Sequence, residues 1–178
     1  EWQGIILIVS VLSIVFGNVV AIAQTNIKRM LAYSAIGHVG FIFAGISTGT
    51  LDGYSSALFY TITYVLMATG SLGFVILLSR KGFESDQIDD FKGLSKRNPW
   101  FAMIMMFILL SMAGIPPWVG FFAKLDVISA VIDAGFAGLP VLMVLASVVG
   151  AYYYLRIIWF MYFEESDQKE TITSSQEV

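Results

Sequence analysis

The chain has 178 residues, of which 57% are hydrophobic and only 13% charged, with a mean hydropathy of +0.79. Ordinary soluble domains carry roughly 25% charged residues, so a water-soluble domain is excluded. The absence of cysteine removes disulfides, thiolate metal sites and iron-sulfur ligation, and one histidine leaves little to hold a metal. Net charge is −3, with five acids (Glu164, Glu165, Asp167, Glu170 and Glu177) gathered at the end, so no basic patch invites nucleic acid.

A hydrocarbon core of about 30 Å takes roughly 20 apolar residues as helix. Five stretches qualify, which predicts an all-α polytopic membrane bundle. The first, near 4–24, carries Ser10, Ser13 and Gly17 on one face, a pattern of close helix packing. Residue 1 is Glu rather than Met and no signal-peptide pattern precedes the span, so the chain reads as a piece of a longer polypeptide. Lys28 and Arg29 stand at the joint before the second span, near 30–49. Its centre holds His38, with Ser34 one turn earlier. An imidazole titrates near 6.5 when unperturbed and suits a proton relay, while a neutral, hydrogen-bonded packing role is equally open.

The third span, near 54–79, places Tyr60, Thr63, Tyr64, Met67 and Ser71 at helical spacing. This mildly polar face orders a water chain or, as such stripes more often do, holds helices together. A polar joint from Arg80 to Asn98 follows, and then a fourth span near 99–133. Its 35 residues would extend about 52 Å as one helix, too long for the core even when tilted. The interruption is written at Gly114-Ile115-Pro116-Pro117, where two prolines remove backbone donors and constrain the residues before them. Freed carbonyls cannot face lipid, and broken helices of this kind mark ion and substrate sites in transporters.

Lys124 lies seven residues after Pro117 on the face that carries Gly120 and Val127. A lysine at such depth costs about 2.5–3.5 kcal/mol on insertion scales, which favours a functional reading over one that merely snorkels or pairs. Asp126 points to another face and its role stays open; Asp133 is a solvated helix end. The fifth span, near 138–163, bears Ser147, Gly150 and Tyr154, and beyond it 164–178 is a hydrophilic, disordered tail. Alternating sides gather Lys28, Arg29, Arg80, Lys81, Lys92, Lys96, Arg97 and Lys169 on one face, which the positive-inside rule makes cytoplasmic. Trp2, Trp100, Trp159 and Tyr162 fall near span ends, and Arg156 is placed to snorkel. There is no internal repeat, and no nucleotide, haem or zincin motif.

The run Gly17-Asn18 through Ile27-Lys28-Arg29 to Tyr33-Ser34-Ala-Ile-Gly-His38-Val-Gly40-Phe41 resembles the antiporter-like membrane subunits of proton-pumping NADH:quinone oxidoreductase, respiratory complex I. Gly114-Ile-Pro-Pro-Trp-Val-Gly-Phe-Phe-Ala-Lys124 and Ala151-Tyr-Tyr-Tyr-Leu-Arg156 resemble the subunit N branch of that family. The resemblance implies the ninth to thirteenth of fourteen helices, so that 1–163 is the second antiporter-like repeat. It implies Lys124 as the protonation site of a broken helix, His38 as a station on a central hydrophilic axis and Lys28 as a proton-transfer residue, with Tyr64 and Ser34 as further candidates. Ala35 and Phe41 depart from a serine and a tyrosine frequent in the family. The first-repeat carboxylate and lysines, and a fourteenth helix, are not among the residues present.

The expected function is therefore that of a non-redox, proton-translocating subunit, inactive alone, in a bacterial inner membrane. Residue 1 would be periplasmic and the tail cytoplasmic. NADH, flavin, iron-sulfur clusters and quinone would belong to partner subunits, with no cofactor or metal in this chain and the lipid bilayer and the other complex I subunits as partners. A subunit of a multisubunit sodium/proton antiporter is the alternative. A structural membrane anchor with an incidental lysine is a third reading.

Overall fold

The computed structural model describes residues 2–80 and 86–165, and the side chain of Arg80 is not described. The expected tail beyond 165, with Lys169, and Lys81 lie outside the described residues. Helices α1 (Trp2–Ile22), α2 (Ile27–Ser47), α3 (Leu51–Arg80), α4 (Leu94–Arg97), α5 (Pro99–Ala113), α6 (Val119–Asp133) and α7 (Gly138–Phe163) account for most of the described chain, with one 3-10 turn at Ile88–Phe91. No strand is present among the described residues beyond an isolated bridge between Asn26 and Gln87. Four helices, α1, α2, α3 and α7, are long and apolar enough to cross a membrane. Where one long fourth span is expected, two 15-residue helices stand on either side of Gly114–Trp118.

Local chemistry explains the boundaries. Asn26 caps α2 by accepting from the Arg29 N–H at 3.0 Å, and Asn98 caps α5 ahead of Pro99, a residue suited to a first helical position. Gly114 ends α5 at φ +79°, with its N–H on the Ser111 carbonyl (3.0 Å) and the Ile115 N–H on that of Leu110 (3.2 Å). This is a Schellman closure, and the positive φ is what requires glycine there.

α1 and α2 pack closely. An added Cβ on Gly17 would fall on the Gly37 backbone, and Ser10 donates to the Gly40 carbonyl at 2.7 Å. The small-residue stripe of the first span is thus a packing seam.

The joint between α3 and α5 is more ordered than its polar composition suggests. Ile88, Phe91 and Leu94, spaced three apart, are buried under the ends of the long helices. The Ile27 N–H donates to Asp86, the Ile88 N–H to Thr25 and the Gly93 N–H to Phe160. Arg97 ties the segment to itself through the carbonyls of Asp90 and Lys92. Lys92 pairs with Glu164 at 3.2 Å and Lys96 with Glu165 at 2.8 Å, which fastens the segment to the end of α7. Lys28, Lys92, Lys96 and Arg97 consequently sit at one end of the bundle, as the charge pattern predicts. Trp100 and Trp159 are exposed near that same end. Arg156 lies over the Phe160 ring, 5.7 Å from its centroid.

Side-chain packing forms two apolar clusters rather than one. The cluster at the basic end includes Met30, Phe91, Met105, Met112, Ile157 and Met161. The other, toward the opposite end, includes Ile14, Phe41, Val127, Val131 and Met143.

Candidate functional site

Between the two clusters lies a layer of buried polar side chains contributed by five of the six long helices: Asn18 from α1, Ser34 and His38 from α2, Thr63 from α3, Ser111 from α5 and Lys124 from α6. His38 stands 11 residues after Ile27 and 9 before Ser47, which puts it near the middle of α2, roughly 15 Å from either end.

The helix break builds the lysine site. In an uninterrupted helix the Ala113 carbonyl would accept from the N–H of residue 117, but Pro117 has none. The Lys124 ammonium donates to that carbonyl instead, at 2.9 Å. A second stitch comes from Ser111, whose hydroxyl accepts the Gly120 N–H at 3.1 Å and so satisfies one of the free donors opening α6. Gly120 is needed because a Cβ there would overlap the Ser111 carbonyl. Lys124 is 7% exposed, and the Phe41 ring centroid lies 5.8 Å from its Nζ.

His38 is held on both ring nitrogens. Nδ1 and the Tyr60 hydroxyl are 2.8 Å apart, Nε2 and the Tyr154 hydroxyl 3.0 Å, and the ring stacks on Tyr64 at 4.5 Å. A tyrosine hydroxyl both donates and accepts, so either neutral tautomer finds one donor and one acceptor, and a doubly protonated ring finds two acceptors. Each protonation state of His38 is therefore hydrogen-bonded without moving a side chain. Tyr153 continues the network by donating to Asn18 Oδ1 at 3.1 Å, and Asn18 donates onward to the Ile14 carbonyl.

Lys124 and His38 line one small cavity in common. It has Asn18, Ser34, Ser147 and Tyr153 on its wall and a volume of about 10 Å³, the space of a single water site. On another side the two residues border a region packed by Tyr60, Thr63, Met67 and Ser111 with no room for a water. On its far side Lys124 borders a larger, mostly apolar recess of about 320 Å³ between the helix break and α7, lined by Gly114, Leu125 and Val148 among others.

The candidates named from sequence separate into two groups. His38, Lys124, Ser34 and Tyr64 belong to the central layer, although the Ser34 hydroxyl donates to its own helix at Leu31. Lys28 does not join them. It lies at the basic end, 45% exposed in its side chain, in an ion pair with Asp86 at 2.5 Å. Asp126 is exposed on the opposite side of α6 from the buried lysine, and Asp133 closes α6 at its exposed end. Tyr60 and Tyr154 were not named as site residues. The stripe Tyr60-Thr63-Tyr64 held the signal for the first; Tyr154 stood in the Ser147-Gly150-Tyr154 stripe, but nothing local pointed to its partner, His38, which it meets across 116 positions of sequence. No cluster of three or more possible metal ligands exists among the described residues.

Residues 1–150 match the family described as NADH:quinone oxidoreductase/Mrp antiporter, TM. NADH-quinone oxidoreductase subunit N of Thioalkalivibrio sulfidiphilus is 55% identical over 97% of this chain, and the match covers 36% of that relative. The chain thus spans about a third of the length of the curated relatives it matches. Among solved structures, a chain of the archaeal membrane-bound sulfane sulfur reductase, a respiratory membrane complex, superposes with a TM-score of 0.88 at 29% identity, over 98% of this chain and 36% of that one. A chain of respiratory complex I from Thermus thermophilus gives 0.76 at 29% identity, over 92% of this chain and 37% of its own.

Proposed function

This chain belongs to the NADH:quinone oxidoreductase/Mrp antiporter transmembrane family, and from that premise we propose that it is part of a proton-translocating membrane subunit of NADH:quinone oxidoreductase, itself free of redox chemistry. The observation that carries this reading is the buried layer at mid-helix depth in which Lys124 and His38 share a water-sized cavity. A lysine placed there is costly unless it works or is paired, and its one hydrogen bond among the described residues is to a neutral carbonyl.

In this proposal α5 and α6 form a single discontinuous span, the bundle crosses the membrane five times, and residues 1–163 are the second antiporter-like repeat. The basic end is cytoplasmic, residue 1 lies outside, and the chain past α7 emerges inside as a polar tail. Lys28, paired at the exposed basic end, receives protons. His38 passes them within the layer by exchanging the roles of its two nitrogens between Tyr60 and Tyr154, with Ser34 and Tyr64 beside it. Lys124 is the terminal carrier before the outside. NADH, flavin, iron-sulfur clusters and quinone are properties of other subunits of the assembly, and energy reaches this layer from them through charge.

Lys124→Ala in the assembled parent enzyme tests it. Proton uptake per electron transferred in reconstituted vesicles should fall severalfold while the complex remains assembled; unchanged pumping in an assembled enzyme refutes the role. The family description also covers Mrp antiporters, so a sodium/proton antiporter subunit is the second reading. Identity above one half to a subunit N favours the first, and copurification with flavin and iron-sulfur subunits separates the two.

A further inference from the structure

The cavity shared by Lys124 and His38 is walled in part by hydroxyls whose protons are already committed. Ser34 donates to the Leu31 carbonyl at 2.7 Å and Ser147 to that of Met143 at 2.9 Å, bonds that each helix closes within itself. Both ring nitrogens of His38 are taken by Tyr60 and Tyr154. The direction of the Tyr153 hydroxyl is set instead by another helix. The Ile14 carbonyl only accepts, so the Asn18 amide turns Nδ2 to it, at 2.8 Å, and Oδ1 to the Tyr153 hydroxyl, at 3.1 Å. Glycines on two neighbouring helices hold the amide in that pose: a Cβ on Gly37 would lie 2.9 Å from Nδ2, and one on Gly150 3.4 Å from Oδ1. An amide oxygen cannot donate, so Tyr153 donates to it and shows lone pairs to the cavity.

We infer that Asn18 is a positioning residue: by fixing the Tyr153 hydroxyl as a donor directed away from the cavity, it completes a wall of acceptors opposite the Lys124 ammonium. Asn18, Tyr153 and Lys124 are each at most 7% exposed, enclosed by helices of this chain itself. A water in the cavity accepts from Lys124 and donates to the wall, an order that favours ammonium over amine. The titratable groups facing Lys124 are His38 of α2, Tyr60 of α3, and Tyr153 and Tyr154 of α7, while α1 and α5 bring Asn18 and Ser111; no carboxylate is among the described residues there. Hydrogen-bond direction thus stands in for a countercharge. The inference deepens the reading of Lys124 as a proton carrier and rests on it.

The test follows proton translocation per electron against pH in vesicles that hold the assembled parent enzyme. Asn18→Leu removes the acceptor, so Tyr153 turns to donate into the cavity in competition with Lys124. The alkaline decline of pumping should then begin about one pH unit lower, about a tenfold change in proton concentration. Asn18→Asp keeps an oxygen toward Tyr153 in either protonation state and should not lower the onset. Tyr153→Phe, which deletes the lone pairs, should lower it by less, and Asn18→Leu should add nothing in that background. An unshifted onset in Asn18→Leu, or in Tyr153→Phe should the leucine variant not assemble, overturns the inference. So does an equal shift in Asn18→Asp, or a leucine effect that persists without the Tyr153 hydroxyl. Lys124→Ala run alongside separates the two ideas: unchanged pumping there removes both, whereas lowered pumping with no shift in the Asn18 variants removes this one alone.

Discussion

Each ring nitrogen of His38 meets a tyrosine hydroxyl that comes from a different helix. Replacing Tyr154 by phenylalanine keeps the ring volume but deletes one partner, leaving a buried imidazole nitrogen unsatisfied at a cost of about 1–3 kcal/mol. The Tyr60→Phe, Tyr154→Phe and double variants should be non-additive in unfolding experiments in detergent, since both act through one imidazole. Proton translocation by the parent enzyme should fall in each. Lys28 behaves differently: its pair with Asp86 is solvated, so Lys28→Ala should cost less than about 1 kcal/mol, and less still at high salt. At this scale the sequence announced the polar residues that a helix cannot easily carry, His38 and Lys124. It did not announce Tyr154, because a tyrosine in an apolar helix is ordinary until the partner it reaches is known.

The helix break shows how an element can be legible from length alone. A run of 35 apolar-rich residues with Pro116-Pro117 inside it had to be interrupted, and α5 and α6 end and begin within a few residues of that point. The means of repair was not legible, for the Ser111 hydroxyl and the Lys124 ammonium find their acceptors and donors only once the halves fold against each other. Gly120→Ala, which drives a methyl into the Ser111 carbonyl, should destabilise the protein by about 1–3 kcal/mol and loosen both stitches, seen as faster hydrogen exchange at the start of α6. The 86–97 segment escaped notice for the opposite reason: Ile88, Phe91 and Leu94 are sparse among charged neighbours, and only their spacing of three marked a buried edge.

That segment also predicts a pH response. Hydrogen bonding to Glu164, reinforced by Asp89, holds the Lys92 ammonium above its usual range, and hydrogen bonding to Lys96 holds the Glu165 carboxyl below its own. The Glu165 contact is fully present above the ordinary carboxylate range and is lost as pH falls through the depressed value. The Lys92 contact is fully present below the ordinary lysine range and is lost only as pH rises through the raised one. The clamp on α7 should therefore be closed around neutrality and open first in acid, measurable as faster exchange of the Gly93 amide below the usual carboxylate range.

Across the whole molecule, buried polar groups from five long elements collect between two apolar clusters. The all-helical class was readable in advance, and so was the common end shared by Lys28, Lys92, Lys96 and Arg97. The gathering of polar residues at one depth was not, because it depends on register between helices, which no single helix records. A polar residue set into one of the clusters should breach it. Val127→Asn, fully buried in the cluster away from the basic end, should raise passive proton leak through the parent protein in vesicles without electron transfer.

The position of His38, roughly 15 Å from either end of α2, has an electrical consequence. On the path proposed above the clusters are the insulating stretches, so a transmembrane voltage would drop mainly across them and little along the layer between. A charge carried to His38 or Lys124 on that proposed path would have climbed about half of the full potential, about 1.2 kcal/mol of the 2.3 that each 100 mV imposes. Loading and release of these residues would then register as two separate current transients of similar size after a rapid voltage step, whereas motion from histidine to lysine would be nearly silent.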